Sequence, residues 1–128
     1  MEKSLVICDT NVIINWLKNE PITINYLNQI GNENIAITSV SFMEILQGAR
    51  NKNEFDYLIK TINNFKILHF TERASLISTQ LIEKFVLSHK LQIPDAIIAA
   101  IAIDYELPLF TLNLKDFRFI QEIVLWNN

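Results

Sequence analysis

Four carboxylates in this sequence stand where a fold could bring them together. Asp9 directly follows the apolar run Leu5–Cys8, and Glu44 lies shortly beyond a second run, Ile35–Thr38. Asp95 heads the apolar stretch Ala96–Ile103, and Asp116 follows Leu109–Leu112 with Asn113 between. Like charges held close raise one another's pKa unless a cation neutralises them. The set offers only oxygen donors, with no Cys or His beside Glu44, Asp95 or Asp116 and an apolar setting for Cys8, which suits Mg²⁺ or Mn²⁺ and argues against zinc. Two such ions can activate a water and stabilise the leaving oxygen in phosphodiester hydrolysis.

Each residue also has a plainer reading. Asp9 can be the N-cap of the helix that follows it, and Asp95 can likewise be only a structural cap at the start of its helix. Glu44 can complete a capping box with Ser41 or be a solvated helix residue. Asp116 can be an exposed turn acid, and Thr10, Asn11, Ser39, Thr111 and Asn113 turn and cap residues. The case for a site rests on the order and strand-end placement of all of them together.

The elements that must position them follow from hydrophobic periodicity. Leu5–Cys8, Ile35–Thr38, Phe65–Phe70, Leu109–Leu112 and Ile123–Trp126 read as strands. Helices are expected from Asp9–Asn11 through Leu17, over Ile22–Ile30 with Gly31 as its stop, over Val40–Ala49 behind Thr38–Ser39, and over Asn53–Asn63. Thr71 should cap the longest, Glu72 to about His89, and one helical turn is expected within Lys115–Ile120. Pro94 suits a helix start, and the residues from Ala96 to Ile103 are apolar all round, so this helix is buried. It is far shorter than the roughly 20 residues a membrane span needs. Alternating strands and helices predict a three-layer α/β fold with a mostly parallel sheet. Ligands in such folds bind at the carboxyl edge of the sheet.

Composition bounds the rest. A chain of 128 residues, half of them hydrophobic, with 2 Gly and 3 Pro, predicts one compact domain over 1–128 without linkers. The single cysteine, Cys8, has no disulfide partner, and Met1–Ser4 leads into only four apolar residues before Asp9; both lead to the expectation of a cytoplasmic protein without a signal peptide. The formal charge of −3 argues at first against nucleic acid, but setting four metal-bound carboxylates aside turns it to +1.

Asp9-Thr10-Asn11, then Thr38-Ser-Val-Ser-Phe-Met-Glu44-Ile-Leu-Gln-Gly48, then Ile93–Ala102, then Thr111-Leu-Asn113-Leu-Lys-Asp116-Phe117 resemble the four motifs of the PIN-domain nucleases. The short form resembles the VapC-type toxins of prokaryotic toxin–antitoxin modules, and the match runs from Leu5 to Trp126. The resemblance implies an α/β/α sandwich around a five-stranded parallel sheet in the order 3-2-1-4-5, and endoribonuclease activity dependent on Mg²⁺ or Mn²⁺. Asp9, Glu44 and Asp95 would be the core catalytic and metal-binding carboxylates, and Asp116 the fourth acid. Thr10, Asn11, Ser39, Thr111 and Asn113 would orient those ligands or the attacking water. A homodimer, and a small antitoxin masking the site with a helix and a basic residue, are implied as well.

The sequence departs from the family pattern at several positions. Ile101 stands where members often have Thr, Glu106 where a Gly commonly ends the helix, and Leu112 where a basic residue is frequent. The fourth acid is shared between the positions of Asn113 and Asp116 among members. Arg50, Lys115 and Arg118 are the candidate RNA contacts, with Lys52 beside Arg50, and exposed single-stranded loops are the expected substrate. The main rival is a non-catalytic nucleic-acid or protein-binding module on the same fold. A nuclease relic would have lost acids, and a receiver-like domain would carry a Lys after its last strand, where this chain ends Leu125-Trp-Asn-Asn128. A haloacid-dehalogenase-type phosphotransferase would want a second Asp at Asn11.

Overall fold

The computed structural model describes residues 4–126; Met1–Lys3, on which part of the reading of the chain start rests, and Asn127–Asn128 lie outside it. Four strands, β1 (Val6–Cys8), β2 (Ile35–Thr38), β3 (Lys66–Leu68) and β4 (Leu109–Phe110), form a parallel sheet in the order β3-β2-β1-β4. The expected fifth strand, Ile123–Trp126, is reduced to one parallel bridge between Leu125 and Leu109. Leu109 spends both its backbone groups there, donating to Val124 O at 2.8 Å and accepting from Trp126 N at 2.8 Å. The outer position of the implied order is therefore filled by a chain end that pairs at one residue only.

Side chains on successive strand residues point to opposite faces, and here that alternation builds two cores. Val6, Cys8, Ile35, Ile37 and Phe110 face one layer, which holds α1 (Thr10–Leu17), α2 (Pro21–Ile30) and α4 (Lys52–Ile62). Ile7, Ala36 and Leu109 face the other, which holds α5 (Glu72–His89) and α6 (Ile93–Tyr105). The three-layer α/β arrangement expected from the sequence follows directly. α3 (Ser39–Gln47) runs from the end of β2 along the carboxyl edge, with Thr38 as its cap, accepting from Ser41 N at 3.1 Å.

The buried helix α6 has Ala96, Ile98, Ala99, Ala100, Ile101 and Ala102 out of solvent. Its small residues let α5 lie close, and Ile101, fully buried, contributes apolar packing where a threonine would bring a hydroxyl. The helix stops at Glu106, which adopts φ 56° and ψ 46°, the left-handed conformation usually left to glycine. No helix among the described residues is long and apolar enough to cross a membrane.

Candidate active site

Register places Asp9. β1 pairs with β4 so that Cys8 lies opposite Phe110, and Asp9 N then donates to Phe110 O at 2.9 Å. The next residue on β4's side, Thr111, is thereby set beside Asp9, and its hydroxyl donates to Asp9 Oδ2 at 2.8 Å. Oδ1 accepts from Thr10 N at 2.8 Å, which caps α1. Asp9 is buried, only 5% exposed, and burial pushes its carboxyl pKa up; the two hydrogen bonds pull it down, and the charges of Glu44 and Asp116 raise it again.

Glu44 is settled by helix rotation. Six residues after Thr38, it points back from α3 toward α1, where Thr10 Oγ1 donates to its Oε1 at 2.6 Å. The Thr10 and Ser41 hydroxyls are 2.8 Å apart. Thr10 has one proton, and the carboxylate takes it, so Ser41 is the donor to Thr10. The capping-box reading of Glu44 does not hold, because Thr38 caps the helix instead. Ser41, fully buried, was legible only as a box residue and proves to brace Glu44 through Thr10. Ser39, at the first position of α3, has no side-chain hydrogen bond to any described residue.

Asp95 sits in the first turn of α6, half-buried, with its carboxylate free of hydrogen bonds to the described residues. The N-cap position belongs to Gln92, which also makes no side-chain cap bond, so Asp95 does not serve as a cap. Burial raises its pKa most, followed by the charges of Asp9, Asp116 and Glu44, to about 6. Asp9 and Asp95 thus both feel the charges of Glu44 and Asp116 at the carboxyl edge. Asp116 lies in a short 3₁₀ turn (Leu114–Asp116) held down by the buried Phe117 and Ile120. The same loop is tied to α1 through Asn11 Oδ1, which accepts from Leu112 N at 3.3 Å, and to Thr111, whose Oγ1 accepts from Asn113 N at 3.1 Å.

The donors fit a hard divalent cation: oxygen only, on rigid elements, and mutually repelling. Among the described residues no three His, Cys, Asp or Glu side chains are drawn tightly enough together to enclose an ion. Cys8 lies beside Asp9, but burial and the Asp9 charge push its thiol pKa up, so it is an inert core residue.

The sequence-predicted cations are distributed differently from one another. Arg50 is paired with Glu54 at 2.9 Å, and Lys52 with Asp56 at 3.0 Å. Lys115 and Arg118 are exposed beside Asp116 and have no ion pair with a described residue. A groove of about 470 Å³ opens between α1, α3 and α4, lined by Ile14, Leu17, Ile45, Tyr57 and Leu58 and reaching Glu44. Tyr57 is exposed on this groove, and Phe55, two residues before it on α4, is half-buried.

No curated protein matches the sequence significantly. Among solved structures, a toxin–antitoxin complex from Klebsiella pneumoniae contains a chain of TM-score 0.79 and 28% identity, covering 93% of this chain and 95% of that one. A DNA-bound VapBC complex from Salmonella typhimurium gives TM-score 0.80 at 23% identity over 95% and 96%. A promoter-bound VapBC complex from Rickettsia felis gives 0.79 at 23% over 94% and 96%. At 23% identity these likenesses speak to the fold. The model of the PIN domain matches residues 6–121. With strand order, strand-end acids and a family model agreeing over nearly its whole length, the chain belongs to the PIN-domain family.

Proposed function

We propose that this protein is a divalent-metal-dependent endoribonuclease, the toxin of a toxin–antitoxin pair. The observation that carries the reading is the convergence of Asp9, Glu44, Asp95 and Asp116 at one sheet edge, where burial first, and then the charges of Asp9, Asp116 and Glu44, push the Asp95 pKa up to about 6. Asp9, Glu44, Asp95 and Asp116 would hold Mg²⁺ or Mn²⁺. Bound there, the metal would activate a water and stabilise the leaving oxygen of a phosphodiester. Thr111 and Thr10 fix the orientation of Asp9 and Glu44 by charge-assisted hydrogen bonds, and Asn11 and Asn113 hold the loop that carries Thr111 and Asp116. Ser39 completes the proposed polar surround at the start of α3. Lys115 and Arg118 would meet phosphates of the RNA; Arg50 would do so by exchanging its partner Glu54 for a phosphate.

The antitoxin fits the groove beside Glu44. Its apolar lining suits one face of an amphipathic helix, and a basic side chain from that helix could reach the acids. The solved neighbours come from a toxin–antitoxin complex and a VapBC complex. A homodimer completes the proposal, tested by sedimentation of the purified chain.

The deciding experiment is RNA cleavage by purified protein with Mg²⁺, Mn²⁺ or EDTA, alongside Asp95→Asn. Loss of cleavage in EDTA and in the variant is expected. Cleavage indifferent to both would sink the metal-site reading, and RNA binding without cleavage under any metal would favour a binding module.

A further inference from the structure

We propose that His89, stacked on Phe119 at the end of α5, is a platform on which an unpaired nucleobase of the RNA stacks, positioning the strand for the adjacent acidic site. This rests on the ribonuclease reading above and extends it to a residue outside the family motifs. The two rings lie parallel, with centroids 4.1 Å apart and planes 13° from each other. Phe85 meets both edge-on, at 5.6 Å from His89 and 4.8 Å from Phe119. The imidazole is further held by its neighbour, Ser88 Oγ lying 2.8 Å from Nδ1. Phe85 and Phe119 pack on the core, whereas His89 is exposed. An exposed ring immobilised on three sides is an aromatic surface with little conformational entropy left to lose on binding.

Short chain connections keep it within reach of the acids. Only Lys90–Gln92 separate His89 from α6, whose first turn carries Asp95. Phe119 is three residues past Asp116. At no more than about 3.5 Å per residue, the ring pair lies within roughly 20 Å of Asp95 and 10 Å of Asp116, the reach of a few nucleotides. The charge pattern agrees. Lys90, Lys115 and Arg118 around this corner have no ion pair with a described residue, as holds also for Lys18, Lys60 and Lys66 elsewhere, so cations are available beside the ring. Lys84 rests over Phe85, 5.3 Å from the ring centroid. Unpaired cations beside an exposed aromatic face are what single-stranded nucleic acid takes: phosphates on the cations and a base on the ring.

The test is binding of a short, labelled single-stranded RNA of mixed sequence, followed by anisotropy in an Asp95→Asn background so that the probe survives. His89→Leu keeps bulk over Phe119 and removes the π-face; His89→Trp keeps a larger one. We expect His89→Leu to weaken binding roughly 5- to 100-fold, and His89→Trp to bind at least as well as the parent. Moving a single abasic site along the RNA should weaken binding to the parent at one position and add no further loss with His89→Leu. Equal binding by His89→Leu and the parent, or a His89→Trp protein as weak as His89→Leu, would overturn the platform. If wild type cleaves RNA yet the His89 variants are indistinguishable, only the platform falls. If wild type neither binds nor cleaves RNA, the ribonuclease reading falls first.

Discussion

Thr111 and Asp9 are 102 positions apart in the chain and joined by a 2.8 Å hydrogen bond, the Thr111 hydroxyl donating to Asp9 Oδ2. It is one of two donors that keep a carboxylate oriented although it is almost wholly buried. Thr111→Val preserves shape and removes that donor. The expected result is a loss of about 10- to 100-fold in Mn²⁺ affinity, read by titration calorimetry, with Thr111→Ser retaining most of it. Unchanged affinity in the valine variant would mean that packing alone holds Asp9.

Thr10 does for Glu44 what Thr111 does for Asp9, through the 2.6 Å bond to Oε1. Thr10→Val should lower RNA cleavage by about 10- to 100-fold while costing no more than about 3 kcal/mol of stability, since the carboxylate is half-exposed and can turn to water. Denaturant melts and initial rates on the same preparation separate the two effects. A large stability loss with proportionate loss of activity would assign Thr10 to the fold rather than to the site.

The pH dependence of the metal-free protein has a definite sign. Asp95 releases its proton near 3.8 when unfolded and near about 6 when folded. Between those values the folded state holds a proton the unfolded state has lost, so stability is fully present below the window and falls as pH rises through it. Asp9, also raised, adds the same sign. Thermal melts in EDTA should therefore show a midpoint that declines across this window, with a smaller decline in Asp95→Asn. Mg²⁺, if held by the deprotonated carboxylates as proposed, should stabilise the folded state increasingly over the same range. Identical slopes in wild type and variant would remove Asp95 from the account.

Glu106 ends α6 at φ 56°, a conformation that costs a residue with a Cβ about 1 kcal/mol or more. Glu106→Gly should therefore stabilise the protein by about 1 kcal/mol in urea melts, less whatever the glycine adds to the entropy of the unfolded chain. RNA cleavage should be unchanged, because Glu106 lies at the opposite end of α6 from Asp95. A destabilised variant would show that the glutamate side chain itself holds the turn.

Local chemistry in the sequence determined most of the elements and the identity of the acids. The continuous apolar run Leu5–Cys8 read as a strand buried on both faces, and the alternation of strands with helices indicated three layers. Thr38, Thr71 and Pro94 marked helix starts within a residue or so of where they occur, because capping is a matter of neighbours along the chain. Motif resemblance supplied the strand order now seen in β3-β2-β1-β4. What joins distant segments came from the tertiary structure. The β1–β4 register sets Thr111 against Asp9, the rotation of α3 turns Glu44 toward Thr10 instead of its own helix start, and Ser41 enters only through that rotation. Among the described residues Ile123–Trp126, although strand-like in sequence, pairs only through the bridge of Leu125 to Leu109. The stack of His89 on Phe119 likewise joins two segments that no local pattern relates. Propensity and capping are properties of a few adjacent residues; register, helix rotation and long-range partners are decided only when all layers pack at once.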